Sequence, residues 1–127
     1  MIALDSSVVI ALLDPLDAHH RDAVALIRNH SSHTFLMHPI NIAEVLVRAV
    51  REGVGVQKQA DLDTLGITPL PHSRTASLHL AEIRVRTGLR MPDCCVLLAA
   101  SDGVDGLATF DNALRAAAQQ LGVPVIG

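Results

Sequence analysis

The chain has 127 residues, half of them apolar, which is enough to build one compact core but too few for two domains of ordinary size, so we expect a single domain over residues 1–127. Its formal net charge of −3 argues against a nucleic-acid binder that works through overall positive charge, but not against a nuclease whose carboxylates bind cations. No stretch is apolar and uncharged for long enough to cross a bilayer, and we expect a cytoplasmic protein without membrane contact.

The first 50 residues predict two strands and three helices. Apolar runs that stop at a polar residue are typical of buried strands, whereas apolar residues that recur every three or four positions indicate helices. Pro15 ends the first helix, and Asp17 is a plausible N-cap for the second. The expected elements are a strand over 2–5, a helix over 8–13, a helix over 18–29, a strand over 34–38 and a helix over 39–50.

The rest of the chain continues the alternation. The expected elements are a helix over 57–65, a strand over 67–70, a helix over 73–87, a helix over 92–100, a strand over 107–109, a helix over 112–121 and a strand over 123–126. Gly88 and Asp111 are expected to cap helices at the C- and N-terminus, respectively. The helix that begins at Pro92 is apolar nearly all round, so it should be central and buried. Cys94 and Cys95 are adjacent residues of this helix and cannot form an ordinary disulfide with each other, so we expect reduced, buried thiols.

This alternation of strands and helices predicts an α/β protein. We expect three layers, α/β/α, around a central parallel sheet of about four to five strands with right-handed crossovers. In such sheets ligands collect at the carboxyl ends of the strands. Asp5 and the residues after Thr109 should therefore lie at the functional edge.

Four acidic residues, Asp5, Glu44, Asp93 and Asp111, occupy the ends of predicted elements. Glu44 and Asp93 have apolar sequence neighbours, so we expect neither to be a solvated surface acid. An unpaired buried carboxylate costs several kcal/mol, and the chain has one lysine, Lys58, so a salt-bridge explanation would have to rest on arginines such as Arg90. A hard divalent cation such as magnesium, which prefers oxygen ligands, explains the set better.

Each acid also has a simpler structural explanation when it is taken alone. Asp111 is suited to be only a helix N-cap, and Asp93 is suited to be a first-turn acid favoured by the helix dipole. The four acids together are more specific than any one of them.

Four segments of the chain resemble the PIN domain of the VapC toxin type, the ribonuclease half of a toxin–antitoxin pair. They are ALDSSVVIALL, NIAEVLVRAV with its isolated Glu44, MPDCCVLLAA and LATFDNALRAAAQQLGVPVI. Their order and spacing match over nearly the whole chain. The departures are Cys94 and Cys95, where small residues are common, and Leu114, where an aromatic residue is common.

The resemblance implies a PIN-like fold and a magnesium-dependent endoribonuclease, with Mn²⁺ as an alternative ion. It implies an RNA substrate, a VapB-like antitoxin and a homodimer as partners. The implied catalytic and metal-binding residues are Asp5, Glu44, Asp93 and Asp111, with Ser6 and Thr109 as supporting hydroxyls. Glu44 is either a ligand through water or a base that orients the nucleophile.

For the RNA path we expect Arg84, Arg86 and Arg90, with Arg48 and Arg51 as a second patch, although solvated helix faces would also explain them. The chain has two Phe and no Trp or Tyr, which leaves little means of stacking bases, so recognition should depend on backbone shape and charge. The seven histidines do not show the spacing of a zinc site.

Two alternatives remain open. One is a catalytically idle PIN scaffold, against which the presence of all four acids argues. The other is a phosphoryl-accepting receiver or phosphatase-like α/β domain, which would also place an Asp after the first strand. That alternative needs a lysine near the site, and Lys58 is badly placed for it; Ser6 and Ser7, moreover, stand where a phosphatase has a second Asp.

Overall fold

The computed structural model describes residues 1–101 and 103–127, in which five strands and seven helices alternate. Their bounds are β1 Ile2–Leu4, α1 Ser6–Leu13, α2 His20–Asn29, β2 Phe35–Met37, α3 Pro39–Arg51, α4 Gly55–Thr64, β3 Ile67–Pro69, α5 Ala76–Thr87, α6 Met91–Ala100, β4 Gly106–Ala108, α7 Asn112–Gln120 and β5 Val125–Ile126. Every predicted element is present, and most of the strands are shorter than predicted.

The five strands form one parallel sheet in the order β3-β2-β1-β4-β5. Strand β1 is central, with Ile2 opposite Phe35 of β2 on one side and Gly106 of β4 on the other. The expected parallel sheet is thus confirmed. Because β1 and β4 are neighbours, the residues that follow Leu4 and Ala108 meet at the same sheet edge.

Helices cover both faces of the sheet, which confirms the three-layer α/β/α architecture. Ile2 and Leu4 face one core, which they share with side chains of α1 to α4. Ala3, between them, faces the other core, which is filled mainly from α6 and α7. This alternation is the normal consequence of side chains pointing to opposite faces along a strand.

Helix α6 is the buried helix that the sequence predicts. Six of its ten residues are buried, and Pro92 lies in its first turn. Cys94 and Cys95 are free, buried thiols, and burial is the main cause that raises the pKa of Cys95. No helix in the two described ranges combines the length and apolarity needed to span a membrane.

Two details of the helices differ from the prediction. Asp17 does not cap α2; its Oδ1 accepts a hydrogen bond from the His19 backbone N–H at 2.9 Å, so it closes the preceding turn, and His19 occupies the N-cap position. Helix α5 begins at Ala76 rather than at 73 and has no buried residue, although Gly88 ends it with φ of 68° as expected. Local hydrogen bonds in the preceding turns explain why α2 and α5 both begin later than predicted. Asp17 makes such a bond before α2, and before α5 the Ser73 hydroxyl accepts one from the Thr75 backbone N–H.

Candidate metal centre

Asp5 follows β1 directly and is buried, with 6% of its surface exposed. Two hydroxyls donate to the same oxygen, Oδ2: Ser7 Oγ at 2.7 Å and Thr109 Oγ1 at 2.8 Å. Ser6 Oγ lies 3.5 Å from Oδ1, which is at the limit of a hydrogen bond. Asp5 is thereby fixed through one oxygen, and the other oxygen is left with a single long contact.

The two hydroxyls also tie Asp5 to the segment that follows β4. Thr109 Oγ1 accepts from the Asp111 backbone N–H at 3.0 Å, and Ser7 Oγ accepts from the Phe110 backbone N–H at 3.3 Å. Each hydroxyl therefore donates one hydrogen bond to Asp5 and accepts one from a backbone N–H of the segment after β4. Residues that are about one hundred positions apart in the chain are held in one small network.

Asp93 lies in the first turn of α6 and is half-buried. Burial is the largest cause that raises the pKa of Asp93, and the negative charges of Asp111 and Asp5 follow. The nearby Arg90 guanidinium lowers this pKa, and Glu44 raises it. All three other acids are thus close enough to act on Asp93, so the fold brings the four predicted carboxylates into one electrostatic field.

Glu44 is exposed, and the expectation that it avoids solvent is wrong. The buried face of α3 is formed by Asn41, Val45 and Ala49, so a residue next to Val45 in sequence points elsewhere. Glu44 is nevertheless held, because its Oε1 accepts a hydrogen bond from Asn41 Nδ2 at 3.0 Å.

Asn41 connects Glu44 to the helix that carries Asp93. Its Nδ2 also donates to the backbone carbonyl of Pro92 at 3.0 Å, and the residue is 1% exposed. Turning the amide over would place its oxygen against two acceptors, so the hydrogen-bond network defines the orientation. Its Oδ1 is then a buried acceptor with no partner among the described residues, an arrangement that costs about 1–3 kcal/mol.

Asp111 has the capping role that the sequence suggests, and it also lies near another of the predicted acids. It is the N-cap of α7, with Oδ1 accepting from the Leu114 backbone N–H at 3.0 Å. Its side chain is exposed, and its charge acts on Asp93. The capping bond and membership of the acidic group are therefore compatible.

The donor chemistry of the four acids fits a hard divalent cation, although the side chains do not stand as a finished ligand set. No group of three or more His, Cys, Asp or Glu side chains within residues 1–101 and 103–127 is arranged to hold a metal ion. The donors are all carboxylate oxygens, and none of the four acids forms a salt bridge in the described part of the chain. Carboxylates that lie near one another repel, and a bound cation would offset that repulsion.

The predicted RNA-binding arginines are all exposed but differ in their surroundings. Arg90 is at the N-cap of α6, where its charge acts on Asp93. Arg84 donates to the backbone carbonyls of Gly88 and Leu89 and so stabilises the end of α5. In the second patch, Arg48 Nε donates to Glu52 Oε1 at 3.0 Å. Arg90 is thus the predicted arginine with an electrostatic link to the acids.

Ser7 and Asn41 were not singled out by the sequence analysis. Asn41 stands three positions before Glu44, a spacing that places two side chains on one side of a helix, and this signal could have revealed the pair. Ser7 lies in the first turn of α1 beside Asp5, where a short hydroxyl can reach back.

Comparison with known proteins identifies a family that the chain matches. Residues 2–120 match the family model described as PIN domain. The fold also resembles the crystal structure of PAE2754 from Pyrobaculum aerophilum, with a TM-score of 0.56 and 21% identity, over 91% of this chain and 84% of that one. At that identity the structural similarity shows the fold alone. No curated protein gives a significant sequence match.

Asp93→Asn should stabilise the metal-free protein, because it removes a charge that is partly buried and is repelled by Asp111 and Asp5. The raised pKa of Asp93 means that its ionised form is less favourable in the folded state than in the unfolded state. Its destabilising effect is therefore absent at low pH and develops as the pH rises through the carboxyl range. We expect a melting temperature about 2–4 °C above wild type at pH 7 in EDTA and little difference near pH 4.

Thermal unfolding monitored by circular dichroism measures this effect. Asp63→Asn, which changes an exposed acid on α4, is the matched control and should have no such effect. An equal rise in the melting temperature of both variants, or no rise for Asp93→Asn, would contradict the conclusion that the Asp93 charge destabilises the fold.

Asn41→Asp should destabilise the fold by about 3 kcal/mol or more, because it replaces the amide donor with a carboxylate that faces two acceptors. Adding Glu44→Gln should recover part of the loss, since the new amide can donate to the new carboxylate. Urea unfolding at pH 7 measures both changes. Asn112→Asp, at an exposed helix start, is the control and should change stability by less than about 0.5 kcal/mol.

Proposed function

This chain belongs to the PIN domain family, whose members are generally nucleases, and from that premise we propose that it hydrolyses RNA phosphodiester bonds with a divalent cation. The observation that carries the proposal is the buried carboxylate of Asp5 at the carboxyl end of the central strand, which Thr109 ties to the segment that bears Asp111. Magnesium is the proposed ion, with manganese as the alternative, because both suit carboxylate oxygen ligands.

Asp5, Asp93 and Asp111 are proposed as the main metal ligands. A bound divalent ion neutralises charge on a phosphate and lowers the pKa of a coordinated water. Asp5 suits this role because Ser7 and Thr109 fix its orientation through Oδ2. Groups that orient a ligand in this way commonly affect metal affinity strongly.

Glu44 has a different proposed role, because it is exposed and is held by Asn41. It either binds the ion through a water molecule or accepts a proton from the attacking water. Both roles require a carboxylate that can be reached by solvent and that keeps a fixed direction. The Asn41 amide provides that direction by joining Glu44 to the start of α6.

RNA would approach past Arg90, which lies beside the acidic group. Arg84 and Arg86, both exposed on α5, are proposed as further contacts for its phosphates. Since the whole chain is acidic, attraction of phosphates must be local, and binding should weaken steeply with salt.

We further propose that the chain is the toxin of a VapBC-type pair, blocked by a VapB-like antitoxin, and that it forms a homodimer. Support comes from the four sequence segments that resemble VapC toxins and from large apolar side chains on α5 that are exposed. Leu78 is 61% exposed and Val85 is 84% exposed. Exposed apolar area of this kind suits an interface between proteins.

The receiver or phosphatase-like alternative gains no support. It needs a lysine at the acidic site, whereas Lys58 Nζ lies 3.6 Å from Asp61 Oδ2 on the same helix. The idle-scaffold alternative predicts a missing acid, and all four acids are present.

The central test is cleavage of a mixture of cellular RNAs by the purified protein. We expect cleavage with Mg²⁺ or Mn²⁺, loss of activity in EDTA and recovery when the ion is restored. Asp5→Asn should lower the rate by about 100-fold or more while keeping the melting temperature close to wild type, because an amide oxygen can still accept the two hydroxyl bonds. Asp63→Asn should cleave like wild type, and undiminished cleavage in EDTA would overturn the proposal.

The toxin role has a separate test in cells. Induced expression should arrest growth, and Asp5→Asn at the same protein level should not. Co-expression of the product of the adjacent gene should relieve the arrest. Normal growth despite strong nuclease activity of the purified protein would support the ribonuclease function and contradict the toxin role.

A further inference from the structure

Two stacked rings lie next to the acidic group. The rings of His19 and Phe110 have centroids 4.7 Å apart and planes inclined by 14°. Phe110 stands between Thr109 and Asp111, and its backbone N–H donates to Ser7 Oγ. The stack is therefore joined by one hydrogen bond to the network that holds Asp5.

His19 is not used as a helix cap, although it occupies the N-cap position of α2. His38 occupies the same position in α3, and there its Nδ1 accepts from the Ile40 backbone N–H at 3.1 Å. His19 makes no side-chain capping bond; its ring lies on Phe110, its Nδ1 lies 4.0 Å from Asp22 Oδ2, and 53% of the side chain remains exposed. The imidazole is therefore oriented by Phe110 and Asp22 rather than by helix capping, and more than half of it stays open to a ligand.

The stack forms one wall of an open cleft of about 480 Å³. Asp22, Asn29, Asn112 and Arg115 contribute hydrogen-bonding side chains to it, and Ala25 and Leu26 contribute apolar ones. Arg115 is held in place, because its Nη2 donates to the Thr109 backbone carbonyl at 3.1 Å. An exposed ring and fixed polar groups around one cavity are the features with which proteins bind an unpaired base by its face and its edge.

We propose that this cleft is a subsite for one unpaired nucleobase of the RNA, next to the phosphate that is cleaved. The base stacks on the His19 ring, and the polar side chains of the cleft contact its edge. This subsite rests on the proposed ribonuclease function, because Phe110 and Asn112 flank Asp111 and so place the base beside the acids. It also provides base stacking in a chain whose low aromatic content leaves little means of it.

The test measures binding rather than cleavage. A mixed-sequence single-stranded RNA of about eight nucleotides is compared, by fluorescence anisotropy in EDTA, with versions in which one nucleotide at a time lacks its base. For the wild-type protein, removing the base at one position should weaken binding about tenfold. His19→Ala should bind the intact RNA about tenfold more weakly and should lose the dependence on that base, whereas His19→Phe should keep it.

His72→Ala, which changes an exposed histidine outside the cleft, is the matched control and should behave like wild type. A general loss of structure would weaken binding to every RNA equally, so the loss of dependence at one position identifies stacking. The subsite is overturned if His19→Ala still binds the RNA with the missing base more weakly than the intact RNA. It is also overturned if removing a base weakens binding of the wild-type protein at no position. Neither result affects the cleavage test. If the base dependence is present but RNA is never cut with Mg²⁺ or Mn²⁺, the subsite stands and the ribonuclease proposal fails.

Discussion

The buried carboxylate of Asp5 is the constraint on which the rest of the site depends. It lies at the end of the central strand, and no basic side chain in the described ranges forms a salt bridge with it. Hydrogen bonds to a charged group contribute about 1.5–3 kcal/mol each, so the Ser7 and Thr109 hydroxyls together offset a desolvation cost of several kcal/mol. They keep the carboxylate buried at a position near three more acids.

Two separate connections hold the site together across different layers of the fold. The Ser7 and Thr109 hydroxyls join the end of β1 to the segment after β4, while Asn41 joins α3 to the first turn of α6. Asn41 does so with a buried oxygen that lacks a partner in the described part of the chain. Unsatisfied buried groups are rare in folded proteins, and each one calls for an explanation. Here the explanation is that both amide hydrogens are used to hold Glu44 against the helix of Asp93.

The order of the elements and the parallel sheet could be predicted from the sequence, because strand and helix patterns alternate without interruption and α6 is apolar all round. The surroundings of individual side chains could not. The apolar neighbours of Glu44 indicated burial, but successive helical residues point in different directions, so they say little about its exposure. Asp17 has the right chemistry for a helix cap and instead closes a turn. The contact between Asn41 and Pro92, 51 positions apart, and the stacking of His19 on Phe110 depend on tertiary packing that no local pattern contains.

The hydrogen bond between Asp5 and Thr109 links residues 104 positions apart and has a consequence for synthesis of the chain. Asp5 leaves the ribosome before β4, but its carboxylate meets Thr109 only after β4 has been translated and has inserted beside β1. Contacts of such long range form late, because the intervening loop must close first. A nascent chain therefore keeps Asp5 apart from Asp111 until the segment that follows β4 has emerged.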